Sequence, residues 1–100
     1  MMSAYFVAQI RVDDPVEYQK YLDSCDAVFA KFQGEYLAVD EAPEVLEGEW
    51  GYTKTVIIRF PSARELRRWY DSPEYQVVCT HRLAAARCDT LMVRGLDEGR

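Results

Sequence analysis

Several kinds of chemistry are missing from this chain at the level of residue types. It has a single histidine, His81, and three cysteines, Cys25, Cys79 and Cys88, too widely spaced for a C-x-x-C pair. Such a set does not build an ordinary tetrahedral zinc site, and no cysteine pairs with the histidine at a helix start as a nucleophile would. Glycine is scarce at five residues, and none belongs to a phosphate-cradling loop or a G-x-S-x-G elbow. Metal-assisted hydrolysis, phosphoryl transfer and acyl-enzyme chemistry therefore lack their parts, and neither a metal nor a cofactor is expected. The acids Glu44, Glu47 and Glu49 lack the spacing of a calcium loop and read as a solvated segment.

Positive charge is also short. The formal net charge is −5, and Arg64, Arg67 and Arg68 form the one basic cluster, at the spacing of a solvated helix side. A phosphate backbone demands the opposite balance, so nucleic acid is not an expected partner. No apolar run reaches membrane-spanning length, and no signal-peptide pattern opens the sequence. With an odd number of cysteines, two of them on apolar helix faces, a reduced cytoplasmic protein is the expectation.

What is present is enough for one core. The chain has one hundred residues, 49% of them hydrophobic, including seven tyrosines, four phenylalanines and two tryptophans. A single domain over residues 1–95 is expected, with a frayed tail over 96–100. Ala4–Val12 alternates with period two and reads as a strand. Asp14-Pro15-Val16-Glu17 supplies a helix cap, a proline at the first helical position and an acid at the third. Tyr18, Tyr21, Leu22, Cys25, Val28, Phe29 and Phe32 then recur at helical spacing, and Gly34 marks the expected stop. Glu35–Val39 reads as a strand, Val45-Leu46 as a brief edge strand, and Thr53–Phe60 as the strongest strand of the chain. Ser62 and Ser72-Pro73 open two successive helices, the second running to about Ala86, and Asp89–Gly95 reads as the last strand.

The order β-α-β-β-α-β, with its second helical crossover split, is a ferredoxin-like α+β arrangement: an antiparallel sheet with helices on one face. The other face carries apolar residues and needs a cover. A second copy packed sheet to sheet supplies one, so a homodimer is expected.

Three segments carry a resemblance: Leu46-Glu47-Gly48-Glu49-Trp50, Phe60-Pro61-Ser62, and Trp69-Tyr70-Asp71-Ser72-Pro73-Glu74-Tyr75-Gln76, with Arg82 downstream. In order and spacing the chain resembles the bacterial domain of unknown function numbered thirteen-thirty. The resemblance implies the dimeric α+β barrel, a fold shared with antibiotic-biosynthesis monooxygenases, muconolactone isomerases and haem-containing relatives of chlorite dismutase. It implies none of their activities. Many relatives carry a glycine pair and an arginine around the second strand. Here the residues are Gln33-Gly34 and Ala38-Val39-Asp40, so an anion site using that arginine does not carry over.

Arg82 is the most informative single position. On a helical wheel, Tyr75, Val78, Cys79 and Ala86 define an apolar face, and Arg82 falls in its middle. A buried guanidinium is costly without compensation. Either it pairs with a carboxylate such as Asp23 or Asp26, or with strand-end carbonyls, or it faces a pocket and holds a carboxylate or enolate oxygen. Tyr18 and Tyr21, one turn apart on an inner helix face, are either core aromatics or proton donors to a bound substrate. Trp50, between Gly48 and Gly51, reads as a flap or a dimer contact. On the pocket reading, Arg82, Tyr18 and Tyr21 are the catalytic candidates, and Arg82, Trp50 and Tyr75 the substrate-binding ones. His81 falls on the wetter side of its helix and Trp69 belongs to a packing face. Arg11, Arg59 and Arg94 lie near strand ends, where they rim a cavity or pair with acids. Two functions stay open: cofactor-independent isomerisation, cyclisation or oxidation of a small organic acid, and ligand binding or an accessory role without turnover.

Overall fold

The structure, a computed structural model, describes residues 3–96. Its elements are β1 (Ala4–Val12), α1 (Pro15–Phe29), β2 (Glu35–Asp40), β3 (Lys54–Phe60), α2 (Ala63–Tyr70), α3 (Pro73–Ala85) and β4 (Ala86–Arg94). They form one antiparallel sheet in the order β2-β3-β1-β4. This is the expected ferredoxin-like α+β architecture. The expected tail lies outside the described residues except for Leu96, which is exposed.

Alternation decides which sheet face meets the helices. Ala4, Phe6, Ala8 and Ile10 of β1 are buried, as are Lys54, Val56, Ile58 and Phe60 of β3. The helices cover that face with Tyr18, Cys25, Val28 and Phe29 from α1, Leu66 and Trp69 from α2, and Tyr75, Val78 and Cys79 from α3. Trp69 is the hub: its ring lies 5.1 Å from Phe6, 5.3 Å from Phe60 and 4.3 Å from Tyr75, centroid to centroid. The helix starts follow local chemistry. Asp14, Ser62 and Ser72 each accept a hydrogen bond from the backbone N–H three residues on, at Glu17, Glu65 and Tyr75.

Three departures from the sequence reading exceed a single residue. α1 ends at Phe29, five residues before Gly34. Gly34 is required for another reason: a Cβ there would stand 2.5 Å from the Phe29 ring and 2.8 Å from Phe60. No strand forms at Val45-Leu46, where Leu46 is 85% exposed. Pro43 removes a ladder donor beside them, and the surrounding acids favour water. β4 starts at Ala86 rather than Asp89, because Ile10, Arg11 and Val12 pair with Cys88, Arg87 and Ala86. Sheet pairing there overrides the helical preference of an alanine-rich segment.

Candidate functional site

α1 and α3 pack side by side, and a cavity of about 410 Å³ opens between α1 and the helix-facing side of β1, β2 and β3. Phe6, Ala8, Ile10, Val56 and Ile58 form its apolar floor. Tyr18, Tyr21, Tyr75 and Arg82 all line it, so four of the five candidate residues from the sequence meet in one place. Trp50 is not among the lining residues; its ring rests on Tyr52 at 5.2 Å and is partly exposed.

Arg82 is 2% exposed. Its Nη2 donates to Cys79 Sγ at 3.1 Å, while Nε and Nη1 are buried with no hydrogen-bond partner. Neither carboxylate considered from the sequence meets it. Asp26 accepts from the Tyr36 hydroxyl at 3.0 Å, and Asp23 accepts from the Gln19 amide at 2.9 Å. The guanidinium instead lies over the Tyr21 ring, 5.7 Å from its centroid. Burial works against the charged form, but Tyr75, Cys79 and Tyr21 around it hold its pKa above the ordinary value.

The phenols form a chain. Tyr18 and Tyr21 have ring centroids 5.7 Å apart, and the Tyr21 and Tyr75 hydroxyls share a hydrogen bond of 2.8 Å. Burial pushes Tyr18 up to about 12, and burial with the neighbouring Tyr75 pushes Tyr21 higher still. Tyr75 is also raised, chiefly by burial, although Arg82 and the hydrogen bond shared with Tyr21 pull it back. At neutral pH all three are therefore protonated donors. Cys25, also on the wall, has its thiol pushed up to about 11 by burial and by Asp26. It is not poised as a thiolate.

Two lining residues escaped the sequence reading. Lys54 opens β3 on the helix-facing side, is 7% exposed, and sets its ammonium 5.1 Å from the Tyr18 ring centroid. The signal was the strand period: Lys54 falls in register with Val56, Ile58 and Phe60. Tyr36 lines the cavity from edge strand β2, its ring 4.5 Å from Phe29. Nothing in the sequence distinguishes it from an ordinary edge tyrosine.

The remaining candidates lie elsewhere. His81 points outward and bonds through Nδ1 to Glu17 at 2.6 Å, which lowers the Glu17 pKa. Arg11 pairs with Asp13 at 2.9 Å, and Arg59 reaches Ser3 and Glu35. Arg94 is exposed at the end of β4, opposite Ala4. Among the described residues no cluster of His, Cys, Asp or Glu could hold a metal ion, and no helix is long and apolar enough to cross a membrane.

A ferredoxin-like sheet with a tyrosine- and cation-lined cavity under its first helix places the chain in the α+β class to which several solved structures belong. A model of the family described as Domain of unknown function (DUF1330) matches residues 3–96, and the chain belongs to that family. Among solved structures, a protein of unknown function from Rhodopseudomonas palustris is similar at 18% identity and a TM-score of 0.78, covering 94% of this chain and 82% of that one. The cofactor-independent oxygenase SnoaB from Streptomyces nogalater is similar at 17% identity and a TM-score of 0.66, covering 92% and 91%. A protein from Thermobifida fusca, described as dimeric, ferredoxin-like and of unknown function, is similar at 14% identity and a TM-score of 0.63, covering 94% and 90%. At these identities the likeness concerns the fold. No curated protein matches the chain.

Proposed function

We propose that this protein is the protomer of a homodimer whose cavity takes a small organic acid and promotes its cofactor-independent rearrangement, or its oxidation with dioxygen as co-substrate and electron acceptor. The observation that carries this reading is Arg82: a fully buried guanidinium on a cavity wall, two of its nitrogens unpartnered and no carboxylate beside it. A buried cation is stable when a counter-charge arrives, and a carboxylate or developing enolate supplies one. Tyr18 and Tyr21 then act as donors, since their raised pKa values keep the phenols protonated at neutral pH. In this mechanism Arg82 fixes the acid, and Tyr18 delivers a proton to the oxygen or carbon on which charge develops. The description of SnoaB as a cofactor-independent oxygenase agrees with such chemistry on this fold. Dimerisation follows from the apolar residues on the uncovered sheet face, and related folds are described as dimeric.

A second reading, ligand binding without turnover, is favoured by one feature: neither a histidine nor a buried carboxylate lines the cavity to act as base.

The test is a thermal-shift screen of small carboxylic acids on the wild type and Arg82→Met. An acid at one hundred times its Kd stabilises by about 2.7 kcal/mol, an increase in Tm of more than about 10 °C for a domain of this size. Arg82→Met is expected to stay folded and to lose that shift. Equal shifts in both proteins would remove Arg82 from the site. Binding without conversion of any acid would select the second reading.

A further inference from the structure

The cavity holds a second cation whose chemistry narrows the ligand class. Lys54 enters from the sheet floor and Arg82 from the α3 wall. Lys54 lies over the Tyr18 ring and Arg82 over the Tyr21 ring, and the two ring centroids are 5.7 Å apart. Each cation thus faces one ring of an aromatic pair. Lys54 also borders an adjoining hollow of about 290 Å³, lined by Val12, Gln19 and Glu41, which Arg82 does not reach.

Among the described residues, no ion pair or hydrogen bond engages the Lys54 ammonium. Glu41 shares the hollow without pairing to it, and the one acid lining the main cavity, Asp26, is exposed and bonded to Tyr36. Neither Lys54 nor Arg82 enters any of the described ion pairs. Arg82 is buried with two nitrogens unpartnered, Lys54 keeps its stem buried and its ammonium without a carboxylate, and a single carboxylate neutralises only half of this pair of positive charges.

We propose that the ligand carries two anionic groups at the ends of an apolar body, one held by Arg82 and the other by Lys54, with the body lying along the Tyr18–Tyr21 rings. Lys54 is then a specificity residue: it separates dicarboxylates from monocarboxylates of the same length. This rests on the organic-acid reading of Arg82 and adds to it the second charge and its place.

The experiment measures binding by calorimetry for straight-chain dicarboxylates from succinate to suberate, each against the monocarboxylate of equal carbon number. In the wild type, at least one dicarboxylate is expected to bind about tenfold or more tightly than its monoacid, a difference of about 1.4 kcal/mol. Lys54→Met is expected to abolish that preference by weakening the dicarboxylate far more than the monoacid, and Lys54→Arg to restore it. Arg82→Met is expected to lose both kinds of acid. Circular dichroism establishes that each variant is folded; should Lys54→Met fail to fold, Lys54→Gln takes its place. Monoacids that bind in an Arg82-dependent way, with no dicarboxylate preferred, would overturn the role of Lys54 and leave the organic-acid reading standing. Equal weakening of both acid types by Lys54→Met would also overturn it, since Lys54 would then hold the single carboxylate. No binding by any acid would overturn the organic-acid reading and this inference together.

Discussion

The two faces of the sheet are made from the same strands yet obey different rules. On the inner face, Ala4, Phe6, Ala8 and Ile10 interleave with Val56, Ile58 and Phe60 and are sealed by Trp69, Phe29 and Tyr75. On the outer face, the strand register lines up Val7 with Ile57 and Leu91, and Tyr5 with Arg59 and Val93. Leu91 is 59% and Val93 43% exposed, whereas Phe60 is fully buried. The inner face is closed by the chain itself. The outer face mixes Val7, Ile57, Leu91 and Val93 with Gln9, Arg59 and Asp89, and the apolar area there is released from water only by another molecule.

The largest expected effect breaks the inner face. Trp69→Ala removes the ring that joins Phe6, Phe60, Phe29 and Tyr75. It is expected to cost about 3–5 kcal/mol in chemical denaturation. A loss below about 1 kcal/mol would mean that the Trp69 cluster is not the hub of the core.

An outer-face substitution sharpens the contrast. Leu91→Arg places a charge on an exposed edge-strand position, so the fold of the single chain is expected to survive. If two outer faces pack together, sedimentation at micromolar concentration should give a dimer for the wild type and a monomer for the variant. A wild type that sediments as a monomer would leave the outer face without the proposed partner.

The smallest expected effect is on pH. Burial raises the pKa of Cys25 from 9.0 to about 11 and of Tyr18 from 10.0 to about 12. For an acid whose folded pKa is raised, the folded state binds the proton more tightly, so stability is complete below the unfolded value and declines as pH rises through the folded one. The Tm is therefore expected to hold level to about pH 9 and to fall above it, Cys25 contributing first and Tyr18, with the other raised phenols Tyr21, Tyr36 and Tyr75, from about pH 10 upward. Tyr18→Phe should flatten the upper part of that decline. An unchanged alkaline limb in the variant would show that the Tyr18 phenol is hydrated rather than buried.

Much of the site was written in periodicity. Arg82 stood out because a helical wheel puts it among Tyr75, Val78 and Cys79, and the structure buries it there. Lys54 was written just as clearly, in the two-residue period of β3, but a lysine within two residues of a strand's start reads as an ordinary end residue. Tyr36 and Asp26 come together through a hydrogen bond between β2 and α1, and no local pattern announces such a pair. Trp50 drew notice through its flanking glycines, a feature of the backbone that says nothing about which cavity a side chain meets.

The sequence by itself determined the element order, the capped helix starts at Asp14, Ser62 and Ser72, and the face each strand turns inward, because these depend on neighbours within a few residues. Tertiary structure alone decided where α1 ends, that β4 begins at Ala86, and that Arg82 meets Cys79 and Tyr21 instead of Asp23 or Asp26. Those outcomes turn on how α1 and α3 lie across the sheet, and distances between residues far apart in the chain are fixed only once the sheet register and helix packing are set.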